Sequence, residues 1–100
     1  IPEALRAEKV SHPFYRNIMP LVKDVNMKKE EFSKIIQHIV QIIKKHKIVD
    51  FETSLEVKRN IIIDVEDFLL DDVDADISIR QAEDIAQKVW ELAVENKKMF

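Results

Sequence analysis

The chain has 100 residues, no glycine, no cysteine and a formal net charge of −3. That length fits one domain, and the missing cysteine removes disulfides, thiolate catalysis and cysteine-based zinc sites. The missing glycine weighs against a Walker loop, a dinucleotide fingerprint or a nucleophile elbow, and the mild acidity weighs against a dedicated nucleic-acid domain.

Pro2 to about Glu8 reads as a short helix, because proline is preorganised at the first helical position and Glu3 suits the positive end. Ser11 is the expected cap of a second helix carrying Phe14, Tyr15 and Ile18, with Leu21 and Val22 beyond. Pro20 removes a backbone donor and disfavours helix at Met19, so a kink or stop is expected near Ile18–Met19. Asn26 is the expected cap of a third helix, Met27 to about His46. There Phe32, Ile35, Ile36, Ile39, Ile42 and Ile43 recur at three and four, on one side of a wheel turning about 100° per residue. Lys34, Gln37, His38, Gln41, Lys44 and Lys45 fill the other side.

Ile48, Val49, Asp50 and Phe51 form a short connection, expected to run extended through its β-branched pair. Thr53 and Glu56 match a capping box for a fourth helix, Ser54 to about Leu70. Its core face is Val57, Ile61, Ile62, Val65, Phe68 and Leu69. Asp71, Asp72, Asp74 and Asp76 make an acidic loop. Ser78 and Gln81 match a second capping box, opening a last helix from Ile79 to about Lys97 that buries Ala82, Ile85, Ala86, Val89, Trp90 and Ala93. The expected fold is an all-α bundle of three long helices over 26–98, with a short kinked helical segment over 1–24. A chain opening on Ile1 rather than Met reads as a fragment of a longer polypeptide. No apolar run is long enough to span a membrane, and nothing at the start resembles a secretory signal.

The acidic loop places Asp72, Asp74 and Asp76 at the first, third and fifth positions of a calcium loop, with Glu83 at the twelfth. Ile77 stands where the sharp turn needs glycine, and Arg80 puts a cation beside the ion. A solvated inter-helix loop is the simpler reading, and a degenerate calcium-binding module remains the lesser alternative. His12, His38 and His46 lack the spacing of a zinc helix, so no metal, cofactor or catalytic residue is assigned. Lys28, Lys29 and the run Lys44–Lys47 read as a solvated face and a cation-rich helix end that complements the helix dipole. Ile63 and Leu70 lie opposite the core face of the fourth helix, two turns apart. A helix apolar on both sides is usually sandwiched, so these two are the candidate partner-contact residues.

Three stretches together carry a resemblance. They are Ile1–Leu5 with His12–Tyr15, then Ile48–Phe51 with Leu55–Asn60, then Ile63–Leu70 and the helix after it. In this order they resemble the C-terminal helical region of the R (restriction, motor) subunit of type I restriction-modification enzymes. The aromatic after Val-Asp, often tryptophan in such proteins, is Phe51 here. The resemblance implies a large cytoplasmic parent with an upstream nuclease domain and helicase-like domains that use ATP and magnesium to translocate DNA. None of that family's catalytic motifs has a matching position in this sequence. The implied role is a non-catalytic assembly module that docks the motor onto the methyltransferase core. Its partners would be the methyltransferase and specificity subunits or other domains of the parent chain, with DNA reached only through the parent complex. A helical adaptor of an unrelated cytosolic protein is the alternative.

Overall fold

Five α-helices follow one another: α1 Glu3–Arg6, α2 Ser11–Ile18, α3 Lys29–His46, α4 Leu55–Asp67 and α5 Ile79–Glu95. The computed structural model describes residues 1–100 and contains no strand. The protein is the expected all-α bundle, with α3, α4 and α5 as the long helices and a short, kinked N-terminal segment. α4 lies mainly on α5 and also against α3, while α2 packs on both α3 and α5. α3 and α5 are therefore diagonal neighbours, and α2 and α4 close the two remaining sides.

The core follows from the apolar stripes. Ile36, Ile39 and Ile43 of α3 meet Ile61 and Val65 of α4 and Ile85 and Val89 of α5 in one cluster. Leu5, Val10, Phe14 and Ile18 join that same cluster. The six apolar positions expected to face inward on α3 are all buried, as are the six on α5, and Val40 and Leu92 join them. On α4 the inward arc is narrower than expected. Val57, Ile61, Val65 and Leu69 are buried, but Ile62 and Phe68 are only half-buried at its edges.

The break at Pro20 is where covalent chemistry puts it. α2 stops at Ile18 and the chain continues as a 3₁₀ turn, Met19–Val22. Proline lacks the N–H a continuing α-helix needs.

Three caps differ from expectation. Ser11 is the first helical residue rather than a cap, and its hydroxyl donates back to the Glu8 carbonyl at 2.6 Å. A preceding turn, Glu8–Ser11, already points the chain into the helix and takes over the cap's work. Asn26 caps nothing: α3 begins at Lys29 after an extended Lys28, with Glu30 and Glu31 at its positive end. The cap of α4 is Ser54, whose hydroxyl accepts from the Val57 N–H at 3.2 Å, while Thr53 Oγ1 donates to the Asp50 carbonyl at 2.9 Å. Thr53 is held inside a 3₁₀ turn, Phe51–Thr53, so the extended residue that a cap requires falls one position later.

The connection before α4 does not run extended. Asp50 takes the left-handed conformation (φ 58°, ψ 34°) and is the only residue of the chain with positive φ. Aspartate tolerates that region better than most residues, so it does here what glycine commonly does. The reversal drives Phe51 inward, where its ring meets Trp90 edge-on at 5.9 Å.

Beyond Asp67 the fourth helix widens into a π-turn, Phe68–Asp72. The Ser78–Gln81 capping box forms in both directions, with each bond at 3.0 Å. α5 ends at Glu95, and a 3₁₀ turn, Lys97–Met99, follows it.

Candidate interaction surface

α4 has two unlike sides. Its inner side is closed by α3 and α5, whereas its outer side faces water. Asp64 accepts a hydrogen bond from His46 Nε2 of α3 across 2.5 Å, and Phe68 stacks on His38 of α3 at 3.9 Å. These contacts fix the helix from the α3 side. Burial of Val57, Ile61 and Leu69, with α4 packed mainly on α5, sets the rotation.

That rotation presents Ile63 and Leu70 outward, 44% and 40% exposed. Leu55, which the sequence analysis did not single out, is 77% exposed at the start of the same helix. Ile62, expected on the core face, is half-buried at its edge and lines a shallow depression with Leu55, Lys58, Arg59 and Ile63. The outward row therefore starts at the first helical residue, about two turns before Ile63.

Charge divides this face in two. Lys58 and Arg59 lie near its N-terminal end, and Glu66 and Asp67 near its C-terminal end. Burial, together with the neighbouring Glu83 and Asp67 carboxylates, holds the Glu66 carboxyl above the usual carboxylate range. Neither Arg59 nor Glu66 is ion-paired within the chain.

No family model matches the chain, and neither a curated protein nor a solved structure matches it.

The other candidates take up structural positions. Asp72 closes the π-turn, and Asp74 and Asp76 lie exposed beyond it. Ile77 is buried with ordinary negative φ, so the sharp turn of a calcium loop is not formed there. No group of three or more histidine or carboxylate side chains is arranged to hold a metal ion. His12 Nε2 bonds the Leu5 carbonyl at 2.9 Å and ties α1 to α2. The three histidines thus serve three separate contacts.

Lys44 reaches Glu8 at 3.5 Å, and Lys47 bonds the Phe100 carbonyl. Lys97 pairs with Glu52 at 2.6 Å. This hydrogen bond is the main reason the Glu52 carboxyl sits below its ordinary range and the Lys97 ammonium above it. Lysine contacts of this kind tie the ends of the bundle together. No helix is long and apolar enough to cross a membrane.

Proposed function

We propose that this chain is a non-catalytic helical interaction module whose contact surface is the outward side of α4. The observation that carries this reading is the exposed row of Leu55, Ile63 and Leu70 on a helix whose opposite side already fills the core. Scattered single apolar residues on a surface need no explanation, but an aligned set along one helix is suited to burial against another molecule.

On the resemblance in its sequence, the module belongs to the R subunit of a type I restriction enzyme. There it helps assemble the ATP-dependent translocase and endonuclease with the methyltransferase core in the cytoplasm. Three features agree with that reading. Phe14 and Tyr15, Phe51, and Val65 with Leu69 stand in the three stretches that carry the resemblance, and all are buried. They are residues that such a helical scaffold would need for folding. Nuclease and ATPase chemistry, with its magnesium, belongs to upstream domains of the parent.

Two experiments test the reading. The upstream coding sequence should contain nuclease and helicase motifs, and their absence sinks the R-subunit assignment in favour of an unrelated adaptor. Isothermal calorimetry should detect binding of this chain to a purified methyltransferase subunit at low salt. The pair Ile63→Lys with Leu70→Lys should remove that heat while far-UV helicity stays intact. Unfolding by the pair would instead mean these side chains belong to the core, and the contact-surface reading would fall.

A further inference from the structure

The outward side of α4 carries a pattern that reads the same from both ends with the charges exchanged. About a two-fold axis placed midway between Ile62 and Ile63, leucine mirrors leucine (Leu55 and Leu70), and isoleucine mirrors isoleucine. Arginine mirrors glutamate (Arg59 and Glu66). On a wheel turning about 100° per residue, Arg59 and Glu66 fall within about 20° of each other. In an antiparallel pair of α4 helices they therefore lie on the same flank and at the same height.

We propose that the outward face of α4 binds the same face of a second copy of this chain, antiparallel, with Arg59 against the partner's Glu66 and Leu55 against the partner's Leu70. A two-fold interface uses one patch twice, so it must be self-complementary. This patch is: each Arg–Glu pair forms twice, one on either side of an apolar centre at Ile62 and Ile63. The surroundings of Glu66 point the same way. Its half-buried carboxylate has Glu83 and Asp67 beside it and no cation of its own chain, and the partner's Arg59 supplies one.

The size of the face sets the strength. From Leu55 to Leu70 it is about 24 Å long at the rise of an α-helix. A single helix face of that length covers roughly half the ~800 Å² per partner of a standard interface. Pairing is therefore weak, with a dissociation constant on the order of 100 μM. The proposal rests on the reading of α4 as the contact surface, and the second copy competes there with any methyltransferase subunit.

Sedimentation equilibrium of the 100-residue chain up to about 1 mM tests it. The wild type should approach a dimer with rising concentration, and a chain that stays monomeric throughout overturns the proposal. Arg59→Glu and Glu66→Arg should each weaken self-association about tenfold or more, because each sets like charges across both symmetric contacts. Mixing the two variants should restore association as a heterodimer, since Glu at 59 of one chain then faces Arg at 66 of the other while the unchanged Glu66 faces the unchanged Arg59. The double variant should likewise self-associate as the wild type does. Failure of the mixture and the double variant to regain association overturns the antiparallel register.

Should Glu66→Arg not fold by circular dichroism, Ile63→Glu places two carboxylates beside the axis and must abolish dimer formation, whereas dimers that survive it refute the interface. Calorimetry with the methyltransferase subunit separates the two readings. Binding of that subunit by a strictly monomeric chain overturns the pairing and leaves the contact-surface reading standing. Dimers that bind no methyltransferase do the reverse for the R-subunit assignment.

Discussion

Phe51 should be the residue at which a single truncation costs this fold most for its place outside any long helix. It is 2% exposed and meets Trp90 edge-on, with ring centroids 5.9 Å apart and planes at 83°. Burying a phenyl side chain contributes about 1.5–3 kcal/mol, and an edge-to-face aromatic pair adds about 0.5–1.5 kcal/mol. Phe51→Ala should therefore lose about 3–4 kcal/mol, in line with the ~3–5 kcal/mol usual for aromatic truncations in cores. A domain of this size is stable by only about 5–15 kcal/mol in total, so the loss is a large share.

Trp90 is the only tryptophan and sits against the perturbed ring, which makes its fluorescence a local probe. Urea unfolding followed by that fluorescence and by far-UV circular dichroism should give coincident transitions, with a midpoint lowered by about 2 M and an unchanged slope. Phe51→Trp should also destabilise, by about 1–3 kcal/mol, since a nearly sealed site has no room for the larger ring. A loss below about 1 kcal/mol for Phe51→Ala would refute the argument, because it would mean the turn after Asp50 does not anchor the α3–α4 connection to α5.

Four further outcomes follow from particular contacts. Ser54→Ala and Ser78→Ala should each lose about 1 kcal/mol by thermal denaturation, whereas Thr53→Ala should cost only a few tenths, because only the serines cap helices. Ser78→Ala should be the larger of the two, since Gln81 also bonds Asp24 at 3.0 Å and its loosened side chain frees the α2–α3 connection. Glu52 has its carboxyl lowered chiefly by the hydrogen bond from Lys97. The stability it contributes is present above the ordinary carboxylate range and lost as pH falls through the lowered value, so Lys97→Ala should flatten that part of the acid limb of a melting-temperature profile. Glu66 is shifted the other way, by burial first and then by Glu83 and Asp67, so its ionisation costs stability as pH rises through the raised value. Glu66→Gln should accordingly stabilise the dilute, monomeric chain at neutral pH by no more than about 0.5 kcal/mol and give no gain in acid, where Glu66 is already protonated.

How far the residues alone carry the structure depends on how local the deciding interaction is. The stripes of α3 and α5, the break before Pro20 and the Ser78–Gln81 box are set within a turn or two of chain. Periodicity and covalent constraint therefore specify them directly. The true starts of α2, α3 and α4 were not legible, because several polar residues near each start are chemically able to cap. Which one does so depends on where the preceding turn releases the backbone, as Thr53 and Ser54 show. The same holds for Asp50, whose left-handed conformation goes together with Phe51 packing onto Trp90 of a helix far along the chain.

α4 marks the boundary most clearly. Its sequence carries apolar residues beyond the core arc, so periodicity turns Val57, Ile61, Val65 and Leu69 inward but leaves the edges at Ile62 and Phe68 open. That choice is made by His46 and His38 gripping Asp64 and Phe68 from α3, and by the packing of α4 on α5 that buries the rest of its inner side. The sequence by itself determined a glycine-free set of amphipathic helices and most of what they bury, because those properties repeat within single turns. Only the tertiary structure decided that α2 closes the fourth side of the bundle and that Leu55 joins Ile63 and Leu70, which the helical wheel already sets opposite the core face, outside it. Both outcomes depend on which neighbours a helix meets, and that is settled by packing between segments far apart in the chain.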